Sequence, residues 1–290
     1  MQDDREETIN NMQAENENVP SQLPDAKQLE PLILPGPSLI NWRKVAPNSV
    51  TLLATLVGLS AVYLALENRF QLAVLSILLA GVLDGLDGPI ARALSGTSRF
   101  GAELDSLSDY VNFGVSPALV LYFWIFKSYG YYGWLISMVY TLCMGCRLAR
   151  FNAGVDFNAS KVTRSFFMGV PAPAGAMLVL FPVGCFFEFG ETRFTSISFC
   201  VPYTLFVSYL LVSKLPTFSS KMINKELFGK LTIAKIVLCS LVAAAAVGIA
   251  IQKPWLSMTV ICAGYVCSFP VSYATFKYMS WQDKKQSKSS

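Results

Sequence analysis

Residues Asp84 to Asp109 read DGLDGPIARALSGTSRFGAELDSLSD. Four aspartates, Asp84, Asp87, Asp105 and Asp109, fall within these 26 residues, and the segments around them are apolar enough to lie in a membrane. An aspartate at the centre of a membrane helix is disfavoured by roughly 2.5–3.5 kcal/mol on insertion scales, so four uncompensated ones would cost about 10 kcal/mol. The stretch therefore predicts a polar cavity, with a cation to hold, inside a helical membrane protein.

The spacing narrows the geometry. Asp84 and Asp87 are three apart and Asp105 and Asp109 four apart, separations that share one face of a helix. Gly96 and Ser98 between the pairs predict a short turn, which makes the two helices antiparallel and lets their acidic faces meet. Carboxylate oxygens suit hard divalent cations, and four of them on two helices are enough for a pair of Mg2+ or Mn2+ ions. Gly85, Gly88 and Gly101 leave space beside them for a bulky polar ligand. Charge alone is equally compatible with a proton or sodium site in a cation-coupled transporter.

Working outward, the chain has 290 residues, 53% of them hydrophobic and 14% charged, with a mean hydropathy of +0.45, which excludes an ordinary soluble domain. Hydrophobic runs long enough to cross a bilayer recur between polar breaks. About eight are expected, over 49–66, 70–94, 100–126, 131–151, 171–189, 194–212, 228–251 and 255–278. The expected fold is an all-α polytopic membrane bundle of about eight transmembrane helices. SLINWRK, Ser38 to Lys44, mixes Leu, Ile and Trp with Arg and Lys and reads as a short interfacial helix before the first span, with Pro47 marking the start of the membrane passage.

Three regions follow. Residues 1–35 carry eight acidic residues against Arg5 and Lys27 and read as a disordered acidic arm, residues 36–280 as one membrane domain, and residues 281–290 as a polar basic tail. Arg43, Lys44, Arg92, Arg99, Arg147, Arg150, Lys161, Arg164, Lys214, Lys221, Lys225, Lys230, Lys284, Lys285 and Lys288 fall at one set of alternating ends. Only Arg69, Lys127, Arg193 and Lys253 fall at the other. The positive-inside rule then puts both termini and the aspartate cluster on the cytoplasmic side. Seven cysteines without a regular framework argue against disulfides, and Cys143 and Cys146 read as helix-packing residues in a chain with no histidine. Pro171 and Pro173 shape a helix start, and Lys161 and Arg164 form a topology-setting pair in a loop.

As a pattern, the opening stretch fits D-x-x-D-G-x-x-A-R, eight residues, then G-x-x-x-D-x-x-x-D, eight specified positions at fixed offsets. It resembles the signature of the CDP-alcohol phosphotransferase family, integral membrane enzymes of phospholipid synthesis. The resemblance implies that Asp84, Asp87 and Asp105 ligate two divalent cations, Mg2+ or Mn2+, and that Asp109 is both ligand and general base. It further implies that Gly88, Ala91, Arg92 and Gly101 line the nucleotide site, with Arg92 meeting phosphate charge. Asn48 and Thr51, in the Pro-Asn-x-x-Thr stretch opening the first helix, resemble family positions near the nucleotide; a plain helix cap is the alternative.

Segments beyond the signature, YVNFGVSPA after Asp109, CRLARFN from Cys146, FFMGVPAPAGA from Phe166 and KLPTFSSK from Lys214, resemble the bacterial phosphatidylserine synthase branch of that family. That likeness implies CDP-diacylglycerol and L-serine as substrates, surrounding membrane lipids as partners, a homodimer, the bacterial inner membrane as location and no nucleic-acid partner. Arg147 and Arg150, one turn apart, suit the serine carboxylate, and Asn112 offers an amide acceptor to its ammonium; anchoring of the arginines at headgroups is the alternative. Phosphorylated acceptors such as glycerol phosphate or inositol phosphate would use the same arginines, and choline is a further acceptor in the family.

Overall fold

A computed structural model of the chain describes residues 42–154, 166–213, 215–218, 248 and 252–289. The acidic arm, most of the expected interfacial helix, Lys161, Arg164 and nearly all of the expected span 228–251 lie outside the described residues. Among the described residues the architecture is all-helical apart from one short two-stranded ribbon.

The first two helices are α1, Trp42–Leu66, and α2, Phe70–Ala93. α1 starts seven residues before the expected span and runs through Pro47, so the last three residues of the expected interfacial helix belong to it. The turn between them closes by two backbone bonds, Arg69 N–H to Leu64 O at 2.8 Å and Asn68 N–H to Ala65 O at 3.1 Å, with Asn68 at φ +58°, a left-handed position that asparagine tolerates. The same device ends α2: Gly96 N–H reaches Ala91 O at 2.9 Å and Ser95 takes φ +50°. Ser98 then caps α3, Arg99–Asp109, its Oγ accepting from Gly101 N–H at 3.0 Å.

The expected third span is broken by a π-helical turn, Tyr110–Val115, before it resumes as α4, Ser116–Trp124. Pro117 explains part of the break. It has no N–H to give the carbonyl of Phe113, four residues back, and the buried hydroxyl of Tyr140 on α5, Gly130–Asn152, donates to that oxygen at 2.8 Å instead. The expected fifth span divides the same way into α6, Ala172–Val179, and α7, Phe181–Phe189, bent by 44°. Pro182 lies four residues after Leu178, whose carbonyl accepts from the Tyr203 hydroxyl of α8, Ile197–Val212, at 2.9 Å.

The core gathers around α6. Ala172, Ala176, Leu178 and Val179 meet Tyr140 and Met144 of α5, Leu210 and Leu211 of α8, and Met258 and Cys262 of α9, Pro254–Ser289. α9 carries the expected basic tail as a continuation of its backbone, because no helix breaker follows Pro270. Strand β1, Phe166–Met168, pairs antiparallel with β2, Pro216–Phe218, and ties the start of α6 to the end of α8.

Among the described residues, three helices, Val45–Leu66 within α1, α2 and the first part of α9, are long and apolar enough to cross a membrane, and up to five spans result if each of two bent pairs counts as one. Many large apolar side chains on them face outward, including Leu52, Leu56, Leu59 and Tyr63 of α1. Such a surface is stable only against lipid. The chain is an integral membrane protein.

Candidate active site

The C-terminal half of α2 and the whole of α3 bring the aspartates together. Each of Asp84, Asp87 and Asp105 offers one carboxylate oxygen, and these oxygens all lie within 4.8 Å of one another. Across the two helices Asp87 faces Asp105, and Asp84 faces Asp109. Asp109 thus stands beside the triad rather than in it, and the positive charge of Arg147 acts on it.

Carboxylates this close repel unless a cation lies among them. At an effective dielectric of about 20, two unit charges 5 Å apart cost roughly 3 kcal/mol. Asp84 Oδ1 is buried and has no hydrogen-bond partner, an orphaned acceptor. Hard oxygen donors at this spacing with an unmet acceptor fit a divalent cation.

Beside the triad is a cavity of about 300 Å³. Its walls include Asn48 and Thr51 of α1, Asp87, Gly88, Ala91 and Arg92 of α2, and Gly101 and Asp105 of α3, so all six residues expected near a nucleotide converge on it. The turn between α2 and α3 adds Gly96, Thr97 and Ser98 to the lining. Thr51 does more than line it: its hydroxyl is 2.6 Å from Asp87 Oδ2 and 3.2 Å from Pro47 O, and with one proton to give it serves the nearer, charged oxygen. At Gly101 a Cβ would come within 2.9 Å of Asn48 Oδ1 and 3.2 Å of Ser98 Oγ. The glycine is what lets α1 and the α3 cap approach across the cavity.

The residues expected to meet the acceptor are placed differently. Asn112 is fully buried in the π-helical turn, where its Nδ2 donates to Ser108 Oγ at 3.1 Å, and it is absent from the cavity lining. Arg147 Nε donates to the carbonyl of Val170 just before α6. Arg150 reaches the carbonyls of Val212, at 2.8 Å, and Ser213, at 3.4 Å, at the end of α8, where carbonyls lack intrahelical donors. Both arginines hold chain segments together. Thr55 and Ser108 join the polar contacts of the site without having been expected there; a hydroxyl one residue before Asp109, in line with one on α1, was the available signal.

Residues 44–212 match the model of the CDP-alcohol phosphatidyltransferase family. The chain belongs to that family. The family uses divalent metals, and the aspartate triad is where this member could bind one. Among similar proteins is one from Mycobacterium tuberculosis strain H37Rv, 37% identical over 247 residues, covering 83% of this chain and 84% of the relative. Another, from Helicobacter pylori strain 26695, is 34% identical over 195 residues, covering 65% and 79%. A third, from Methanocaldococcus jannaschii, is 42% identical over 132 residues, covering 45% and 56%. All three are named CDP-diacylglycerol–serine O-phosphatidyltransferase.

Proposed function

We propose that this chain is a CDP-diacylglycerol–serine O-phosphatidyltransferase, moving the phosphatidyl group from CDP-diacylglycerol to the hydroxyl of L-serine and releasing CMP. The observation that carries the reading is the convergence of three carboxylates, two of which, Asp87 and Asp105, line a cavity shared with Asn48, Thr51, Gly88, Ala91, Arg92 and Gly101. Similarity to the mycobacterial relative over most of both chains supports the choice of serine.

In this reading Asp84, Asp87 and Asp105 hold the divalent cations, with Asp109 completing a set for two, Mg2+ or Mn2+. Bound there, such cations would neutralise the pyrophosphate and polarise the attacked phosphorus. The cavity receives the CDP group: the small residues Gly88, Ala91 and Gly101 leave room for the nucleotide, and the exposed Arg92 guanidinium meets phosphate oxygens. Asp109, outside the triad, accepts the proton of the serine hydroxyl as its oxygen bonds to the phosphorus and the bond to CMP breaks. Nearness to a held alcohol compensates for a carboxylate's weak basicity. Arg147, whose charge acts on Asp109, would meet the acceptor carboxylate in this scheme.

The reading also places the protein in a bacterial-type inner membrane as a homodimer. The site and both termini face the cytoplasm, on the basis of the basic residues at the ends of α2 and α5. Residues 36–280 form the transferase domain, flanked by an acidic arm over 1–35 and a basic tail over 281–290. The test supplies purified protein with CDP-diacylglycerol and Mn2+, then L-serine, glycerol phosphate, inositol phosphate or choline in turn, and measures CMP. Serine-dependent release is expected. Release with glycerol phosphate and not serine would replace the acceptor; cation-driven transport into vesicles with no CMP would replace the enzyme.

A further inference from the structure

Next to the aspartates, α1 and α3 meet along a polar seam. Thr55 Oγ1 lies 2.9 Å from the carbonyl oxygen of Thr51 and 2.8 Å from Ser108 Oγ. Ser108 Oγ is 3.4 Å from the same carbonyl and accepts from Asn112 Nδ2 at 3.1 Å. Each hydroxyl has one proton. All the close contacts are satisfied together when Thr55 donates to the Thr51 carbonyl, Ser108 donates to Thr55 Oγ1, and Asn112 donates to Ser108. Ser108 and Asn112 are 2% and 0% exposed.

The seam has one register. Thr51, Thr55 and Gly58 recur at the spacing of one face of α1, and Ser108 and Asn112 at that of one face of α3 and the turn after it. At Gly58 a Cβ would come within 2.1 Å of Asn112 Oδ1, so the amide reaches its position only because that residue lacks a side chain. A shift of α3 by one residue would break the contacts that cross between the helices, Ser108 Oγ to Thr55 Oγ1 and to the Thr51 carbonyl, while the bonds within each helix would remain. Apolar residues would hold the helices together as well; what the polar ones add is registration. Ser108 sits between Asp105 and Asp109, and Thr51, at the head of the seam, bonds Asp87.

We propose that Thr55, Ser108 and Asn112 are positioning residues: they fix Asp105 and Asp109 of α3 relative to Asp84 and Asp87 of α2, and so set the separation of the oxygens that hold a divalent cation. This rests on the proposed function for its kinetic readout and not for its binding readout. Mn2+ binding to the detergent-solubilised full chain is titrated by electron paramagnetic resonance, alongside CMP release and thermal stability, for Ser108→Ala, Thr55→Val and Thr55→Ser. The first two are expected to weaken Mn2+ binding, and to raise the Mn2+ needed for half-maximal rate, by about 10- to 100-fold, with the KM for serine unchanged. Thr55→Ser, which keeps the hydroxyl, is expected to restore parental binding. Unchanged Mn2+ affinity in Ser108→Ala and Thr55→Val overturns the proposal, whether or not stability falls, because the seam is then packing alone. If Ser108→Ala does not fold, the two Thr55 variants decide by the same criterion. A parent that binds Mn2+ and releases no CMP with any acceptor sinks the transfer reaction and leaves the seam to be judged on binding.

Discussion

Asp105→Asn separates a cluster built for a cation from one that is merely acidic. Its oxygen belongs to a triad spanning 4.8 Å at most, so it takes part in two of three close pairs. At roughly 3 kcal/mol per pair, it carries about 6 kcal/mol of repulsion before screening. Asp105 is half-buried beside an open cavity, and salt and water reduce the surviving repulsion to on the order of 1–3 kcal/mol. Asparagine has the same shape, and its amide can donate to Asp87 where the carboxylate only repelled. In a chelating buffer the variant is therefore expected to melt above the parent by about 2–12 °C, at 2–4 °C per kcal/mol for a domain of this size. With Mn2+ at a hundred times its dissociation constant, the parent gains about 2.7 kcal/mol, or roughly 5–11 °C, while the variant, lacking a ligand, gains little. The order of melting should reverse between the two buffers. Thermal unfolding of the solubilised protein, followed by intrinsic fluorescence at pH 8, measures it. A variant that melts below the parent in chelator, or that gains as much from Mn2+, would refute the charge argument.

Asp109→Asn is expected to lower the rate of CMP release by about 10²–10⁴-fold while leaving Mn2+ binding measurable, since Asp109 stands outside the triad; full activity would remove its role as base. Gly101→Ala places a methyl against Asn48 and the Ser98 cap and should raise the half-saturating CDP-diacylglycerol concentration by about tenfold, with Mn2+ affinity unchanged, as steady-state kinetics would show. Ser95→Gly relieves a left-handed residue at the end of α2 and should add about 1 kcal/mol, read as a melting temperature about 2–4 °C higher.

The parts legible in the sequence were those set by local chemistry. The fixed offsets of Asp84, Asp87, Asp105 and Asp109, with Gly101 between them, announced two acidic faces and a tight approach, and the triad and cavity lie there. The ends of α2 and α5 fell within a residue or two of expectation because polar turns bound them. What was not legible depends on partners far along the chain. The π-helical turn after Asp109 needs Tyr140 to supply what Pro117 withholds, and a hydropathy pattern holds no record of that pairing. Asn112 looked available because it follows Asp109 by one turn. Only the close approach of Gly58 shows that it turns into α1. Arg147 and Arg150 carried charge enough for a substrate, but the carbonyls of Val170, Val212 and Ser213, brought near by the ends of α6 and α8, were invisible in one dimension.

The helices that carry the aspartates also carry outward apolar side chains near them: Leu86 and Leu94 on and just after α2, Phe100 and Leu107 on α3, the last 65% exposed. Leu86 is the immediate neighbour of Asp87, and Leu107 lies between Asp105 and Asp109. Adjacent residues on a helix point about 100° apart, so the polar cluster and an apolar outer face are built from the same two turns of chain. A soluble substrate would have no use for that arrangement. An amphiphile would: its charged head reaches the carboxylates and the cavity while its acyl chains stay against Leu86, Leu94 and Leu107 in the bilayer, with no need to leave the membrane to react. Under the proposed reaction, the donor then arrives laterally and only the acceptor comes from water. Replacing Leu107 by serine, on the lipid side and away from the Mn2+ ligands, should therefore weaken use of a long-chain donor more than of a short-chain one, and equal effects on both would show that the tails lie elsewhere.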